Sequence, residues 1–371
     1  MEHVAAGETA LPVVSIASAR IAAFEILRKV EAGGYAGDLL AGRPDLDSRD
    51  AGLASEIVFG VLRFRAQLDY LIGHYSGRQQ KLDPEVRIAL RMAIYQLRYL
   101  ERVPAHAAVT ESVELVKRAR KRSAAGFVNA VLRKVNRQPV AWPSREVELS
   151  CPEWLLARWE RQFGSQVAGD IARAALLEPE RFTRGGRIQD IGSQAIVPLL
   201  RLAAGQSFLD LCAAPGNKTA QALESGVQAV ACDLHYHRLA PLKSLDAKLV
   251  VLDGSRPLPF RCRFDRILVD APCSGTGTLG RNPEIKWKVT PADLEDLPRR
   301  QRALLENARQ LLGPGGILVY STCSLEPEEN EAVVSSVPAE LVIETMRRIP
   351  GRDPGDGFFA AVIKSVESVN G

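Results

Sequence analysis

Residues 207–219 read SFLDLCAAPGNKT, a short apolar run that enters a turn of small residues and continues into a helical pattern. Comparable apolar runs recur further along the chain, at 227–232, 249–252, 266–269 and 317–320. Such runs, alternating with helical stretches, predict buried parallel strands in an α/β doubly wound sheet. Two last runs, at 341–345 and 357–364, have no helical pattern between them and are expected to form an antiparallel pair at the sheet edge.

The chain before this sheet has a helical pattern instead. Its clearest helix, 83–100, spaces apolar side chains three or four positions apart: Val86, Leu90, Ile94 and Leu97. Further helices are expected over 51–75, after Pro104, and around 127–135. We predict a flexible N-terminus over 1–14, an all-helical domain over 15–140, linker helices over 141–187 (one of them over 152–177), and the sheet domain over 188–371.

Charge is distributed unevenly, although the net charge is only +4. Residues 1–140 hold 21 Lys and Arg against 15 Asp and Glu, whereas the remainder holds 27 against 29. A basic first half predicts contact with a polyanion. No apolar run approaches the roughly 20 residues that span a bilayer, and no signal-peptide pattern is seen, so we expect a cytoplasmic protein without a membrane partner.

Six cysteines are present, and none forms a CxxC pair. That spacing argues against a metal site, and in a large cytoplasmic chain it favours free thiols over disulfides. No apolar heptad pattern is visible, so a monomer is expected.

The turn after the 207–210 run has side chains small enough for a ligand to approach the backbone closely. Its candidate cofactor-binding residues are Cys212, Ala213, Ala214, Pro215, Gly216, Asn217 and Lys218. A plain tight turn is the alternative for this segment alone. Asp233 and Asp253 end the next two runs, where carboxylates could bind a ribose and an adenine amino group, or could simply cap helices. Together, the three run ends predict one nucleotide-cofactor crevice.

Two cysteines follow the last two parallel runs. Cys273 stands in Asp270-Ala271-Pro272-Cys273, and Cys323 in Ser321-Thr322-Cys323-Ser324. Either one alone could be a buried structural thiol. As a pair at neighbouring strand ends they suit methylation at C5 of cytosine. That reaction needs a thiolate that adds at C6, a carboxyl group against the base edge and a second group that assists elimination. Cys323, Asp270 and Cys273 could fill these roles.

Three runs carry a family resemblance: 210–219 (DLCAAPGNKT), 265–287 (DRILVDAPCSGTGTLGRNPEIKW) and 318–331 (LVYSTCSLEPEENE). They resemble the NOL1/NOP2/Sun-type RNA cytosine-5 methyltransferases, and the helical domain resembles a NusB-like RNA-binding domain through 59–63, 105–111 and 126–133. Together the two halves resemble bacterial 16S ribosomal RNA methyltransferases of the RsmB/Sun type. The resemblance implies a multidomain chain: an all-α NusB-like domain followed by an α/β Rossmann-like class I methyltransferase domain with a mixed, mostly parallel sheet.

The resemblance also implies roles for the candidate residues. S-adenosylmethionine would be the methyl donor, bound by the turn 212–218 with Asp233, Asp253 and Asp270. Cys323 would be the nucleophile and Cys273 the thiol that aids product release. The reverse assignment of the two cysteines competes, because cytosine-5 DNA methyltransferases use a Pro-Cys thiol as nucleophile.

The chain departs from the family pattern at three places. Asn217 stands where the family usually has glycine, which is tolerable at positive φ because Asn enters that region more readily than most residues. Only 178–187 remains of a small RNA-binding subdomain, and the stretch between Asp233 and Asp253 is also short. The Asn217 departure bears on cofactor affinity, and the two short segments bear on substrate choice.

A basic cluster without acidic residues lies between Val116 and Arg137. The candidate RNA-binding residues in it are Lys117, Arg118, Arg120, Lys121, Arg122, Arg133 and Lys134. A solvated helix end is the alternative. The predicted partner is ribosomal RNA with an unpaired cytosine, since chemistry at a stacked base requires unstacking. A non-catalytic RNA-binding or ribosome assembly factor that retains the fold is the rival function, and a small-molecule methyltransferase is a second.

Overall fold

The computed structural model describes residues 15–77 and 81–366. The predicted flexible segment 1–14 lies outside the described residues. The chain divides into two compact units between Cys151 and Pro152. The domain limits predicted at 140 and 187 remain predictions.

The first unit is helical throughout its described residues. Its helices are α1 (Ser18–Glu31), α2 (Ala36–Ala41), α3 (Ser48–Arg63), α4 (Arg65–Ser76), α5 (Pro84–Tyr99), α6 (Ala105–Arg118), α7 (Ala125–Leu132) and α8 (Arg145–Glu148). Helix α5 is central, and its apolar positions Val86, Leu90 and Ile94 are fully buried, as the spacing of the sequence predicts.

The helix predicted over 51–75 is two helices in the structure. Phe64 ends α3 and precedes α4, and its ring stacks on Tyr99 with centroids 4.6 Å apart. An aromatic pair of this kind adds to the burial of both rings, so the break is compensated by packing.

The segment after α7 packs against α4 in this same unit. The hydroxyl of Ser150 accepts a hydrogen bond from the backbone N–H of Ala66 at 3.0 Å, and the Gln67 side chain donates to the carbonyl of Glu148. These contacts keep residues up to Cys151 with the helical unit.

The second unit begins with two helices, α9 (Glu153–Phe163) and α10 (Ser165–Ala174). One helix was predicted over 152–177. The break falls at Gly164, whose φ of 84° lies in the left-handed region that favours glycine. A two-stranded hairpin follows, β1 (Thr183–Arg184) and β2 (Arg187–Ile188), and then α11 (Ile191–Gln194).

The rest of the unit consists of a seven-stranded sheet and the helices between its strands. Its elements are β3 (Ser207–Asp210), α12 (Asn217–Leu223), β4 (Gln228–Asp233), β5 (Ala247–Val251), β6 (Phe264–Asp270), α13 (Ile285–Lys288), α14 (Asp293–Gln310), β7 (Leu312–Thr322), α15 (Glu331–Val334), β8 (Val342–Arg348) and β9 (Phe358–Lys364). The strand order is β5-β4-β3-β6-β7-β9-β8.

The five strands β3 to β7 are parallel, whereas β9 pairs antiparallel with both β7 and β8. This confirms the predicted mixed sheet and its antiparallel edge. Because parallel strands end at the same edge, the segments that follow β3, β4, β5, β6 and β7 lie along one side of the sheet.

Candidate active site

The turn after β3 is held to its neighbours through the backbone. The N–H of Ala213 donates to the carbonyl of Cys232 at 2.7 Å. The N–H of Gly216 donates to the carbonyl of Ala213 at 2.8 Å, and this bond closes the turn. The positive φ falls on Gly216, at 100°. Asn217 is instead the first residue of α12, and its side chain donates to the carbonyl of Ile188 at 2.9 Å. Its departure from glycine therefore needs no left-handed backbone.

The next two strands each end near a carboxylate. Asp233 accepts from the backbone N–H of His235 at 3.0 Å and lies 3.4 Å from that of Ala214, beside the turn. Asp253 accepts from both the N–H and the hydroxyl of Ser255, and these bonds hold the pKa of its carboxyl below the usual range. A backbone turn and two acids at successive strand ends fit a nucleoside-bearing cofactor.

Lys218 and Asp270 form an ion pair between the ends of β3 and β6. The Nζ of Lys218 lies 2.6 Å from Oδ2 of Asp270, and the hydroxyl of Ser321 donates to Oδ1 at 2.8 Å. Burial acts to lower the pKa of Lys218, but the Asp270 carboxylate outweighs it, and the net pKa is raised. Lys218 is therefore a largely buried cation that fixes the Asp270 carboxylate.

The two predicted cysteines are in contact. The Sγ atoms of Cys273 and Cys323 lie 3.4 Å apart, and both residues are partly exposed. The hydrogen bond to Cys323, followed by burial, raises the pKa of Cys273 well above its usual range. The two thiols are therefore within hydrogen-bond distance, and either sulfur can be the donor.

Cys212 also lies in this region, and burial together with the carboxylates around it raises the pKa of its thiol well above the usual range. It is a neutral side chain rather than a nucleophile. All six cysteines are free, as predicted. Among residues 15–77 and 81–366, no group of three or more His, Cys, Asp or Glu side chains could hold a metal ion. No helix in the described part of the chain is long and apolar enough to cross a membrane.

Sequence reasoning missed Glu329, which is fully buried behind the two cysteines. Its carboxylate accepts from the backbone N–H of Ser274 at 2.8 Å and from the hydroxyl of Ser324 at 2.5 Å. It also accepts from the hydroxyl of Ser274. The only sequence signal is the acidic run 326–331, which on charge alone is typical of an exposed helix start.

A second missed network supports the loop after Cys273. Arg281 binds Asp190 and Asp356, each at 2.7 Å, and donates to the carbonyl of Glu180 at 2.8 Å. The burial of Asp356, with the charge of Asp190, raises the pKa of its carboxyl to about 6. This arginine joins the segments that contain the two aspartates to the loop that follows Cys273.

The predicted RNA-binding residues belong to the first unit, at the end of α6, in the following loop and after α7. All are exposed except Lys121, which is partly buried and pairs with Asp83 at 3.1 Å. Lys117 pairs with Glu114 at 2.7 Å on the same helix. The surface is basic and accessible, and its contact with RNA remains a prediction.

Comparison with known proteins identifies both units. The model of the family described as 16S rRNA methyltransferase RsmB/F matches residues 197–341, and that of the NusB family matches residues 17–137. These matches confirm the predicted NusB-like and Rossmann-like methyltransferase folds, and with them S-adenosylmethionine as the methyl donor.

Relatives match over most of the chain. It is 30% identical to the probable ribosomal RNA small subunit methyltransferase B of Bacillus subtilis, over 78% of this chain and 80% of the relative. It is 33% identical to ribosomal RNA small subunit methyltransferase B of Klebsiella pneumoniae, over 85% of this chain and 90% of the relative.

The crystal structure of PH0851 matches with a TM-score of 0.75 and 21% identity, covering 95% of this chain and 100% of that one. At that identity the likeness supports the fold alone. The family models and the relatives go further: this chain belongs to the ribosomal RNA small subunit methyltransferase B family.

Proposed function

We propose that the protein transfers a methyl group from S-adenosylmethionine to C5 of an unpaired cytosine in 16S ribosomal RNA, in the cytoplasm. The observation that carries the proposal is the pair of thiols 3.4 Å apart, with the partly buried Lys218–Asp270 ion pair within electrostatic reach of Cys323. C5 of cytosine is a poor nucleophile, so a covalent activation of the ring is needed. Two adjacent thiols suit that activation and its reversal.

Cys323 is assigned as the nucleophile. The segment Ser321-Thr322-Cys323-Ser324 resembles the one that carries the family nucleophile, and the thiolate is the form of cysteine that attacks carbon. Its electron pair forms a bond to C6, the ring electrons move to N3, and N3 takes up a proton or a hydrogen bond. The C4–C5 bond of the adduct is then enamine-like, and C5 is the nucleophilic carbon.

Asp270 and Lys218 are assigned to the base edge. A carboxylate fixed by a buried ammonium can accept from the exocyclic amino group, while the ammonium offers a proton or a hydrogen bond near N3. S-adenosylmethionine, when bound by the turn 212–218, Asp233 and Asp253, supplies the electrophilic methyl group. As the C5–methyl bond forms, the ring electrons return from N3, the bond between the methyl group and the sulfonium breaks, and S-adenosylhomocysteine is the leaving group.

Cys273 is assigned to product release. A base removes the proton from C5, its electron pair forms the C5–C6 double bond, and the bond from C6 to Cys323 breaks. The departing sulfur carries a negative charge, and the Cys273 thiol can donate a hydrogen bond to it at the observed separation. That hydrogen bond makes the Cys323 thiolate a better leaving group.

The basic cluster of the first unit is assigned to the RNA backbone. Phosphate contacts of this kind position an RNA without reading its sequence. The short segment 178–187 leaves less protein to read the sequence around the target. We therefore expect this enzyme to depend on the fold of its RNA more than on base contacts.

The test uses unmodified 16S ribosomal RNA, labelled S-adenosylmethionine, wild-type protein, Cys323→Ala and Cys273→Ala. Transferred methyl groups are counted, the modified base is identified by nucleoside mass spectrometry, and protein–RNA adducts are resolved on a denaturing gel. We expect 5-methylcytosine from the wild type, no transfer by Cys323→Ala, and an accumulated adduct with Cys273→Ala. An adduct with Cys323→Ala would reverse the two roles. A wild-type protein that binds RNA without transferring a methyl group would favour the assembly-factor alternative.

A further inference from the structure

We infer that Glu329 is a positioning residue that holds the two active-site thiols at their working separation. The inference rests on the proposed function, because it assigns Glu329 a part in that reaction. The hydrogen bonds of the Glu329 carboxylate include those to the serines that follow the two cysteines. It acts through the residue that follows each cysteine.

The contacts of Glu329 converge from two different strands. Ser274 follows Cys273 after β6, and it gives the carboxylate both its N–H and its hydroxyl. Ser324 follows Cys323 after β7, and its hydroxyl donates to the same carboxylate. The two serine hydroxyls also lie 3.1 Å apart. One carboxylate therefore joins the two cysteine-bearing segments one residue away from each sulfur.

Glu329 is itself firmly held. The side chain of Gln301 on α14 also donates to the Glu329 carboxylate, at 3.0 Å. The backbone carbonyl of Glu329 accepts from the hydroxyl of Tyr320 at 2.6 Å. The next residue, Asn330, donates to the carbonyl of Ser324 at 3.0 Å and accepts from Thr322 at 2.6 Å. The loop 324–330 is thus bound back onto the end of β7, and the carboxylate cannot move independently of the thiols.

The negative charge of Glu329 also affects the pKa of the Cys273 thiol. A buried carboxylate opposes the formation of a second negative charge nearby, and Glu329 is among the groups that raise the pKa of the Cys273 thiol. That effect adds to the hydrogen bond between the thiols and favours the thiol form of Cys273. Glu329 therefore contributes to the raised pKa of Cys273.

The test compares Glu329→Gln with Glu328→Gln as the matched control. Glutamine keeps the size of the side chain but removes the charge and replaces one acceptor oxygen with a donor. Glu328 is the neighbouring acid, and it pairs with Arg158 at the surface rather than with either serine. Binding of S-adenosylmethionine and RNA should stay within about twofold of wild type in both variants, since neither residue lies where a ligand is proposed. Methyl transfer should fall roughly 10- to 100-fold in Glu329→Gln only, which is the loss expected when reacting groups are misplaced.

A second readout separates positioning from a general loss of structure. The pH midpoint for alkylation of Cys273 by iodoacetamide, mapped by mass spectrometry, is measured in Cys323→Ala and in Cys323→Ala/Glu329→Gln. We expect a lower midpoint in the double variant, because a negative charge near the thiol has been removed. Unchanged transfer by Glu329→Gln together with an unchanged midpoint would overturn the inference.

Two further variants cover the case in which Glu329→Gln does not fold. Ser324→Ala and Ser274→Ala each remove a hydroxyl donor and leave the carboxylate in place, and both should slow methyl transfer without changing ligand binding. If both transfer at the wild-type rate, the inference is wrong. If the wild type transfers no methyl group, the proposed function fails, while the alkylation midpoints still report on Glu329.

Discussion

The Nζ of Lys218 lies 2.6 Å from Oδ2 of Asp270, although the two residues come from the first and fourth parallel strand ends in chain order. The pair lies next to the thiols, and Ser321 completes the hydrogen bonds of the carboxylate. This arrangement links the cofactor turn, which contains Lys218, to the part of the site proposed to hold the base. A change in the lysine should therefore affect both ligands.

Replacing Lys218 with Met should abolish measurable methyl transfer and destabilise the fold. The variant leaves the partly buried Asp270 carboxylate without its cation, which costs about 1–3 kcal/mol of unfolding free energy. Urea unfolding and a single-turnover transfer assay measure the two effects. Lys248→Met, a change of an exposed lysine on β5, is the control and should alter neither. Transfer by Lys218→Met at the wild-type rate would remove this pair from the mechanism.

Asp210 should make the stability of the enzyme depend on pH. Burial raises the pKa of its carboxyl to about 7, its hydroxyl partner is Thr219, and its Oδ1 has no hydrogen-bond partner. The folded state thus binds one more proton than the unfolded state between about pH 4 and pH 7. Stability is therefore lost as the pH rises through that window, by roughly 3–4 kcal/mol if the shift is about three units.

The Asp210→Asn variant tests this prediction, because asparagine cannot ionise. As the pH rises from about 4 to about 8, the unfolding free energy of the variant should increase relative to that of the wild-type protein. Urea unfolding at several pH values across this range measures it. A difference that stays constant would show that Asp210 does not titrate there.

Arg281 should be more important for stability than its position on a loop suggests. It bridges two nearly buried carboxylates, and removing it leaves their charges uncompensated, which typically costs about 3–5 kcal/mol. Arg281→Ala should lower the urea midpoint, and Arg281→Lys should recover only part of it, because lysine lacks the planar fork. Arg299→Ala removes an exposed pair with Asp296 and should cost less than about 1 kcal/mol. Equal effects of the Arg281 and Arg299 changes would contradict the prediction.

The basic cluster of the first unit should contribute to RNA affinity in a salt-dependent way. Arg133→Ala/Lys134→Ala removes two exposed charges from it. The affinity for RNA should fall for all sequences alike, and the slope of log affinity against log salt should fall by about 1.4, or about 0.7 per phosphate contact for single strands. Filter binding between roughly 50 and 200 mM salt measures the slope, with the Lys29→Ala variant of α1 as control. An unchanged slope would place the RNA elsewhere.

Much of the fold followed from local patterns. The apolar runs located the strands of the sheet, and the absence of a helix between the last two runs indicated the antiparallel edge. What the patterns did not show were the breaks at Phe64 and Gly164, because apolar spacing continues across both. Phe64 is explained only by its ring contact with Tyr99, which is distant in sequence.

For a similar reason, some residues of the candidate site were predicted from the sequence and others were not. Asp270 ends β6, and Cys273 and Cys323 follow β6 and β7, so topology alone brings the three residues to one edge of the sheet. Glu329 and Arg281 lie in segments rich in charge, and such segments are usually solvated. Only the tertiary contacts show that Glu329 is buried among serine donors and that Arg281 is held between Asp190 and Asp356.

The contact between the two sulfur atoms has a consequence for redox chemistry. Hydrogen peroxide, a two-electron oxidant, can convert neighbouring thiols into a disulfide and is itself reduced to two molecules of water, and the disulfide contains neither a nucleophile nor a thiol donor. We therefore expect peroxide to inactivate the enzyme reversibly, with activity restored by dithiothreitol and with the Cys273–Cys323 peptide pair linked in the oxidised sample. The geometry that makes the two cysteines partners in one reaction also makes the enzyme dependent on a reducing environment.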